Sequence, residues 1–533
     1  MNLRLTLGFS RQPRIMMVMS KRFYITTAID YANGAPHLGH AYEKVISDVI
    51  ARARRALGEE VFYLTGLDEH GQKVQQAAQA DGKSPQDYCD DLAVNWRAFT
   101  AKLGLTNDDF VRTTEPRHKE CVQTVLSKLH AEGQFYKATY NGFYSPREET
   151  FLTEKDRLPD GSFDPSWGEV IELKEDNYYF KLREHQDWII QYIESNPGFI
   201  APDYRRNEVL GFLKNETLED LCITRPAERL NWGIPLPFDA GFVTYVWFDA
   251  LVNYISVPFA HGDSVVCKAL RAGADSTFEV WPADLHVIGK DILKFHAVFW
   301  PIMLKAMGLP LPRQVLVHGW WQINGQRMSK STGNVVDPIA VIDEWGVDAF
   351  RYFLVRELDI GPDGNWTDAG FHARYQSELA NGLGNLVNRS LSMIQRYRGG
   401  RVPGGASQLA RETAATWDRA VAAYRANALQ EALESCGALV TRANQYIEQT
   451  SPFKIAKDPA RAGELDNILC TLAEVCQALG VLLWPVMPGA AEKLQRQLGL
   501  NIVNTNLSQP PPPLAAGHAV GEIFPLFPRK DQA

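Results

Sequence analysis

The 533-residue sequence has seven cysteines, an odd number, and no two of them are spaced C-x-x-C. A disulfide framework or a zinc ribbon needs paired or clustered thiols. Cys89, Cys121, Cys222, Cys267, Cys436, Cys470 and Cys476 therefore read as buried free thiols of a reducing compartment. Also missing is an apolar run near the ~20 residues of a membrane span, since the best stretch, Val481 to Ala491, is broken by Pro485 and Pro488. Basic residues are not in excess. With 55 Lys and Arg against 63 Asp and Glu the net charge is −8, which excludes an indiscriminate nucleic-acid coat and confines any RNA contact to local patches. There is no internal repeat, and 40 Gly and 30 Pro are near the globular average, which excludes a collagenous, coiled-coil or wholly disordered chain.

The length implies three or four units. Residues 1–21 carry Arg4, Arg11 and Arg14 and no acid, the composition of an organelle transit peptide. A mis-called start fits equally well, because Met16, Met17 and Met19 stand just before the first strand pattern. From Arg22 to Ile29 and from Val61 to Thr65 β-rich runs alternate with helical pattern, and they do so again at Leu285–Ile288 and Val315–Val317 with helix from Asp291 to Leu304 between. These are two halves of one doubly wound parallel α/β sheet, 22–115 and 228–365. The polar, aromatic, turn-rich stretch 116–227 between them is an insertion, helical from Gln186 to Ser195. Over 366–500 the apolar period changes to three and four, as in Leu379, Leu383, Leu386 and Val387, or Ile468, Leu472, Val475, Leu479 and Leu482, which marks a helical bundle. The QPPPP run at 509–513 makes 501–533 a surface strap or tail.

Two segments carry chemistry. Pro36-His37-Leu38-Gly39-His40 follows a strand and opens a helix, where exposed amides and the helix dipole favour anions and two histidines three apart share one face. That suits a triphosphate, although a lone H-x-x-H is as often a pair of caps or core residues. Gly325-Gln-Arg-Met-Ser-Lys-Ser-Thr-Gly-Asn334 is a Gly-flanked loop whose Arg327 and Lys330 can close over phosphates, and by itself it also reads as a solvated basic loop.

In this order the two segments resemble the HIGH and KMSKS signatures of class I aminoacyl-tRNA synthetases, with Arg327 where a lysine is usual. Ala28-Ile-Asp-Tyr-Ala-Asn-Gly34, Gly66-Leu-Asp-Glu-His-Gly71, Tyr245-Val-Trp-Phe-Asp-Ala250, Gly289-Lys-Asp-Ile292 and Asn381-Gly-Leu-Gly-Asn-Leu386 narrow the resemblance to the methionyl-tRNA synthetase family over about residues 22–500. Asp30 stands for the familiar proline and Leu67 for threonine. The resemblance implies a Rossmann-like catalytic domain, an inserted connective domain and an α-helical anticodon-binding domain. It implies that His37, His40, Lys330 and Arg225 act in catalysis, and that Asn33, Gly39, Glu43, His318, Arg327, Ser329 and Ser331 bind ATP with its Mg2+. It also implies that Ala28, Ile29, Tyr31, Asp68, Trp247, Ala250, Tyr254, Asp291, Ile292 and His296 form the methionine site, Asp68 anchoring the ammonium and the Tyr254 hydroxyl donating weakly to the thioether.

Asn385, Arg389 and Phe453 match the anticodon-reading positions, Phe453 replacing a tryptophan. The insertion is too short for the editing domain of the valine, isoleucine and leucine enzymes. No cysteine-rich site suggests the catalytic zinc of the cysteine enzyme. The stretch 141–151 holds no cysteine, like the zinc-free subclass of the family, so no structural metal is expected. The implied partners are L-methionine, tRNA(Met) and initiator tRNA. The expected state is a monomer without a membrane partner, in the cytoplasm or, if residues 1–21 are a transit peptide, in the mitochondrial matrix. Competing readings are a catalytically silent tRNA-binding paralogue, a class I synthetase for another amino acid, and a nucleotidyltransferase outside tRNA charging.

Overall fold

The structure, a computed structural model, describes residues 22–147, 150–271, 278–327 and 335–530. The N-terminal extension and Ser329, Lys330 and Ser331 lie outside the described residues, as does the side chain of Arg327.

The central sheet is built from β1 (Phe23–Thr27), β2 (Asp30–Tyr31), β3 (Val61–Asp68), β4 (Asp109–Arg112), β5 (Ile200–Ala201), β6 (Leu285–Gly289) and β7 (Val315–His318). Every pairing is parallel. β3 lies beside β1, β1 beside β6, β6 beside β7 and β7 beside β5, while β2 and β4 also pair with β3. β6 and β7 are buried along their whole length, as strands covered by helices on both faces must be, which is why they read as continuous apolar runs. From the β1–β6 contact the chain winds outward in both directions. That contact is the topological switch point, the place where open α/β sheets bind ligands at the carboxyl ends of their strands.

The expected insertion of 116–227 is divided between two bodies. An antiparallel sheet pairs Phe135–Ser145 with Ile171–Phe180 and adds Thr150–Leu152 and Leu221–Cys222 at its edges. The helix Pro116–Ala131, in contrast, packs Cys121, Val122, Val125 and Leu129 into the same core as Leu251 and Ile255, and β5 extends the main sheet. A two-residue strand has no periodicity to read, so composition alone could not place β5.

Six helices matter below: α1 (Leu38–Ala56), α2 (Val246–Ala260), α3 (Val347–Glu357), α4 (Asn385–Arg398), α5 (Leu429–Thr450) and α6 (Ala462–Leu482). The apolar stripes named from the sequence are all buried. Against the expectation that no apolar run approaches a membrane span, the segment Pro459–Leu482, which holds the stripe from Ile468 to Leu482, is long and apolar enough to cross one, its most apolar window having a mean hydropathy of 1.4. Of that window, 83% is buried by the surrounding protein, and that burial accounts for its composition. The C-terminal segment is a strap. Leu507 N–H donates to the Ala56 carbonyl at 2.8 Å, Val402 N–H to His518 at 2.8 Å, and the Tyr375 hydroxyl to Pro528 at 2.8 Å, so it ties the helical region back to α1.

A buried charge cluster joins the two halves. Arg351 of α3, fully buried, meets Asp48 of α1 at 2.7 Å and the carbonyls of Leu103, Pro485 and Val486 at 3.1, 3.1 and 2.8 Å. Asp48 also accepts from Arg52 and Thr106, each at 2.7 Å. All seven cysteines are free and buried.

Candidate active site

The site begins where β1 and β2 end and α1 starts. His37 is the N-cap of α1: its Nδ1 accepts from Gly39 N–H at 3.1 Å, while its own N–H donates to His40 Nδ1 at 3.1 Å. The rings stack with centroids 3.7 Å apart. Because each Nδ1 accepts, each neutral ring carries its proton on Nε2. The sequence left two roles open for this pair, and the geometry allows both at once. The rings cap the helix through Nδ1 and carry N–H donors on Nε2, that of His40 lying 3.9 Å from Asp30 Oδ1, at a helix end that already favours anions. Trp96 packs edge-on against His40 at 5.0 Å.

One turn along α1, Glu43 reaches β7 and accepts from His318 Nε2 at 3.1 Å, and His318 Nδ1 donates to the Gly319 carbonyl at 2.8 Å. Burial opposes the charged ring, but the Glu43 carboxylate and the Gly319 carbonyl outweigh it and raise His318 above its ordinary 6.5. A histidine with a raised native pKa contributes stability that is fully present below the unfolded value and is lost as pH rises through the native one. Glu43→Gln should therefore be less stable than the parent at pH 6 and approach it as pH climbs above His318's titration. Urea midpoints across pH 6 to 9 check this, and a deficit independent of pH would contradict it.

The register of the sheet gathers the remaining residues at one edge. Tyr31 is paired with Asp68, and Gly289, two residues before Asp291, with His318. A Cβ on Gly289 would stand 2.6 Å from Asp291 Oδ1, so glycine is what lets that carboxylate fold over the strand end, where Trp320 Nε1 donates to it at 3.2 Å. Ala28, Ile29 and Ile292 are partly buried against the apolar core that holds Tyr254 of α2, and Ala250 of the same helix is buried. Trp247 stacks on Phe295 with centroids 4.1 Å apart.

His296 donates from Nδ1 to the Ile292 carbonyl at 3.0 Å, and burial pushes it down to about 4, so it is neutral and its Nε2 accepts. The Tyr254 hydroxyl, 2.7 Å away, must donate to it. The proton expected to face a thioether is thus spent on His296, and the phenol oxygen is left as an acceptor.

Arg225, to which the resemblance gives a catalytic role, is buried. It is 3% exposed, on the strand Thr224–Pro226 beside the inserted sheet, with its guanidinium 4.4, 4.6 and 5.5 Å from the Tyr245, Phe151 and Tyr144 rings. Its hydrogen bonds include the Thr224 carbonyl at 2.8 Å. Asn33 is exposed at the turn before α1, and Gly39 is partly buried in the first turn. Far from this edge, Asn385 Nδ2 meets Asn444 at 3.4 Å, Arg389 pairs with Glu448 at 2.7 Å, and Phe453, 44% exposed, follows the end of α5. Asn385 and Arg389 on α4 thus lie against α5.

Sequence reasoning passed over Glu69, His70, Asp249 and Phe295. Glu69 is held by Arg112 at 2.6 Å and by Thr114, and His70 Nδ1 meets Asp249 at 2.9 Å. Glu69, His70 and Asp249 sit inside motifs already noticed, so the signal was a polar residue within an otherwise buried run. Among the described residues no three His, Cys, Asp or Glu side chains are grouped as a metal would require.

Residues 23–159 and 166–391 match the family described as tRNA synthetases class I (M). The methionine–tRNA ligase of Fusobacterium nucleatum is 39% identical over 529 residues, covering 96% of this chain and 80% of that protein. The one from Caldanaerobacter subterraneus is 42% identical, covering 90% and 74%. Mycobacterium tuberculosis methionyl-tRNA synthetase in complex with methionyl-adenylate superposes with a TM-score of 0.89 at 37% identity, covering 96% of this chain and all of that one. The apo form gives 0.81 at 35% identity, covering 96% and 99%. A family match over most of the chain, relatives near 40% identity and a shared fold agree: the chain belongs to the methionyl-tRNA synthetases of class I.

Proposed function

We propose that the edge at the switch point activates methionine and that the helical region reads the tRNA. The chain is a methionine–tRNA ligase, joining methionine to tRNA through methionyl-adenylate at the expense of ATP. The methionine carboxylate attacks the α-phosphate of ATP, taken as its magnesium complex, and pyrophosphate leaves. The terminal adenosine hydroxyl of the tRNA then displaces AMP.

Carboxylate and phosphate need little covalent help, so the work is positioning and charge stabilisation. His37 and His40 offer Nε2–H to the phosphates, and Lys330 with Arg327, Ser329 and Ser331 follows the charge onto pyrophosphate. Asn33, Gly39, Glu43 and His318 shape the nucleotide site. Arg225 supplies a fixed positive charge from its aromatic cage. Asp68 takes the substrate ammonium, Asp291 supports the pocket, and Tyr31, Trp247, Ala250, Tyr254, Ile292 and His296 with Ala28 and Ile29 enclose the thioether, a polarizable group suited to aromatic walls.

The observation that carries this reading is the stacked histidine pair at the start of α1, at the same end of the sheet as Asp68, whose partner in register is Tyr31. Asn385, Arg389 and Phe453 would contact the anticodon of tRNA(Met), initiator included. Residues 22–115 and 228–365, joined by the helix Pro116–Ala131 and by β5, form the catalytic domain in this reading, the antiparallel sheet within 116–227 the connective unit, 366–500 the anticodon domain and 501–533 the strap. We place the enzyme in the cytoplasm as a monomer without structural zinc. Stoichiometric zinc by elemental analysis would refute the last point.

The test is ATP–pyrophosphate exchange with each of the twenty amino acids and no tRNA. Exchange driven by methionine supports the reading. Exchange driven by another amino acid overturns the pocket, and none at all, from folded protein, overturns catalysis.

A further inference from the structure

One buried polar cluster near the methionine pocket is not used by the chemistry above. Asp249, in the first turn of α2, is fully buried and accepts from His70 Nδ1 at 2.9 Å. Its other oxygen lies 3.5 Å from His118 Nε2, and Thr244 Oγ1 is 3.5 Å from the first. His118 Nδ1 is 3.1 Å from the Ser256 hydroxyl. Burial opposes a charge on Asp249, yet the two histidines outweigh it and hold the carboxyl below its usual range, while burial pushes His118 itself below its ordinary value. An ionised carboxylate in this place is costly and persists only where its partners are held.

The cluster links two walls. α2 carries Trp247, Ala250 and Tyr254, one wall of the pocket, while His70 stands two residues after Asp68. The loop between is pinned from outside. Arg112 and Thr114 hold the Glu69 side chain, Trp232 Nε1 donates to the Glu69 carbonyl at 2.5 Å, Gly71 N–H donates to Trp232 at 3.3 Å, and Ala32 N–H to the Asp68 carbonyl at 2.8 Å. Each of those contacts fixes the loop against the sheet or its own neighbours. The His70–Asp249 hydrogen bond ties it to α2.

We propose that His70 and Asp249 are positioning residues whose hydrogen bond sets the distance between the Asp68 carboxylate and the Trp247–Ala250–Tyr254 wall, so that ammonium and thioether are recognised as one ligand. This rests on the reading of the cleft as a methionine site. A ligand that uses both walls feels the bond, and one that uses the apolar wall alone does not. The probes are therefore L-methionine and 4-(methylthio)butanoate, which has the same side chain without the ammonium.

In pyrophosphate exchange, His70→Ala should raise KM for methionine about tenfold or more, leave KM for ATP within about twofold, and leave inhibition by 4-(methylthio)butanoate within about twofold. His70→Asn, whose amide places an N–H near the position of Nδ1, should recover most of the loss. An unchanged KM for methionine, a parallel loss for both ligands, or an asparagine variant no better than alanine overturns the proposal. Should His70→Ala fail to fold, His70→Asn against His70→Gln decides it: the longer amide reaches past Asp249, so equal KM values for the two overturn it. A parent chain that does not exchange with methionine overturns the pocket assignment and this proposal together. A parent that does exchange, beside variants with parental KM, overturns the proposal by itself.

Discussion

His40→Asn should lower the rate of methionine-dependent pyrophosphate exchange by about 10²–10³-fold, or about 3–4 kcal/mol of transition-state stabilisation, while leaving the melting temperature near that of the parent. The reasoning comes from the two ring nitrogens. Nδ1 accepts from His37 N–H at 3.1 Å, and an asparagine oxygen can take that place, so the start of α1 survives. Nε2–H, the donor proposed to act on the phosphates, has no counterpart in asparagine. The loss should fall mainly on kcat, because charge grows on the leaving phosphates as the bond breaks. A variant within threefold of the parental rate would remove His40 from the mechanism. A variant equally impaired but much less stable would show that the ring is chiefly a cap.

Arg351→Met should have the largest effect on stability, about 3–5 kcal/mol, because it removes one partner and leaves the Asp48 carboxylate buried. Arg351 satisfies three backbone carbonyls from two separate segments as well, so the loss exposes acceptors as well as a charge. Urea unfolding measures it, and the double variant Arg351→Met with Asp48→Asn should recover a substantial part. No recovery would mean that the carbonyl contacts dominate. The pair has a pH signature too. Burial opposes the Asp48 charge, but Arg351 and Arg52 win and hold it below the ordinary 3.8, so its contribution is present above that value and lost as pH falls through the native one.

Much of the catalytic architecture was legible beforehand. Strand alternation, the turn at Pro36 and the change of period after Trp366 come from local pattern, and the residues that make them interact mostly with sequence neighbours. The start of α1 was legible for the same reason, since capping is decided within four residues. The limits of the insertion were harder. β5 is two residues long and gains its place only from pairing with β7, 115 residues away, as in Val315 with Ile200. Arg225 is similar: the family resemblance implies a catalytic role, but its burial among Tyr144, Phe151 and Tyr245 arises from three separate segments.

The sequence by itself determined the chemistry available: two histidines three apart at a helix start, an acid at the end of a strand, aromatic residues at helical spacing and an absence of clustered thiols. Each is a matter of residue type and short-range spacing. Tertiary structure decided which atom of each group is free to act. The Tyr254 proton is committed to His296, the Glu43 carboxylate raises His318, and Asp249 holds His70, over separations of 42, 275 and 179 residues. Proton positions and charge states depend on what packs within a few ångströms, and only the folded chain brings those groups together.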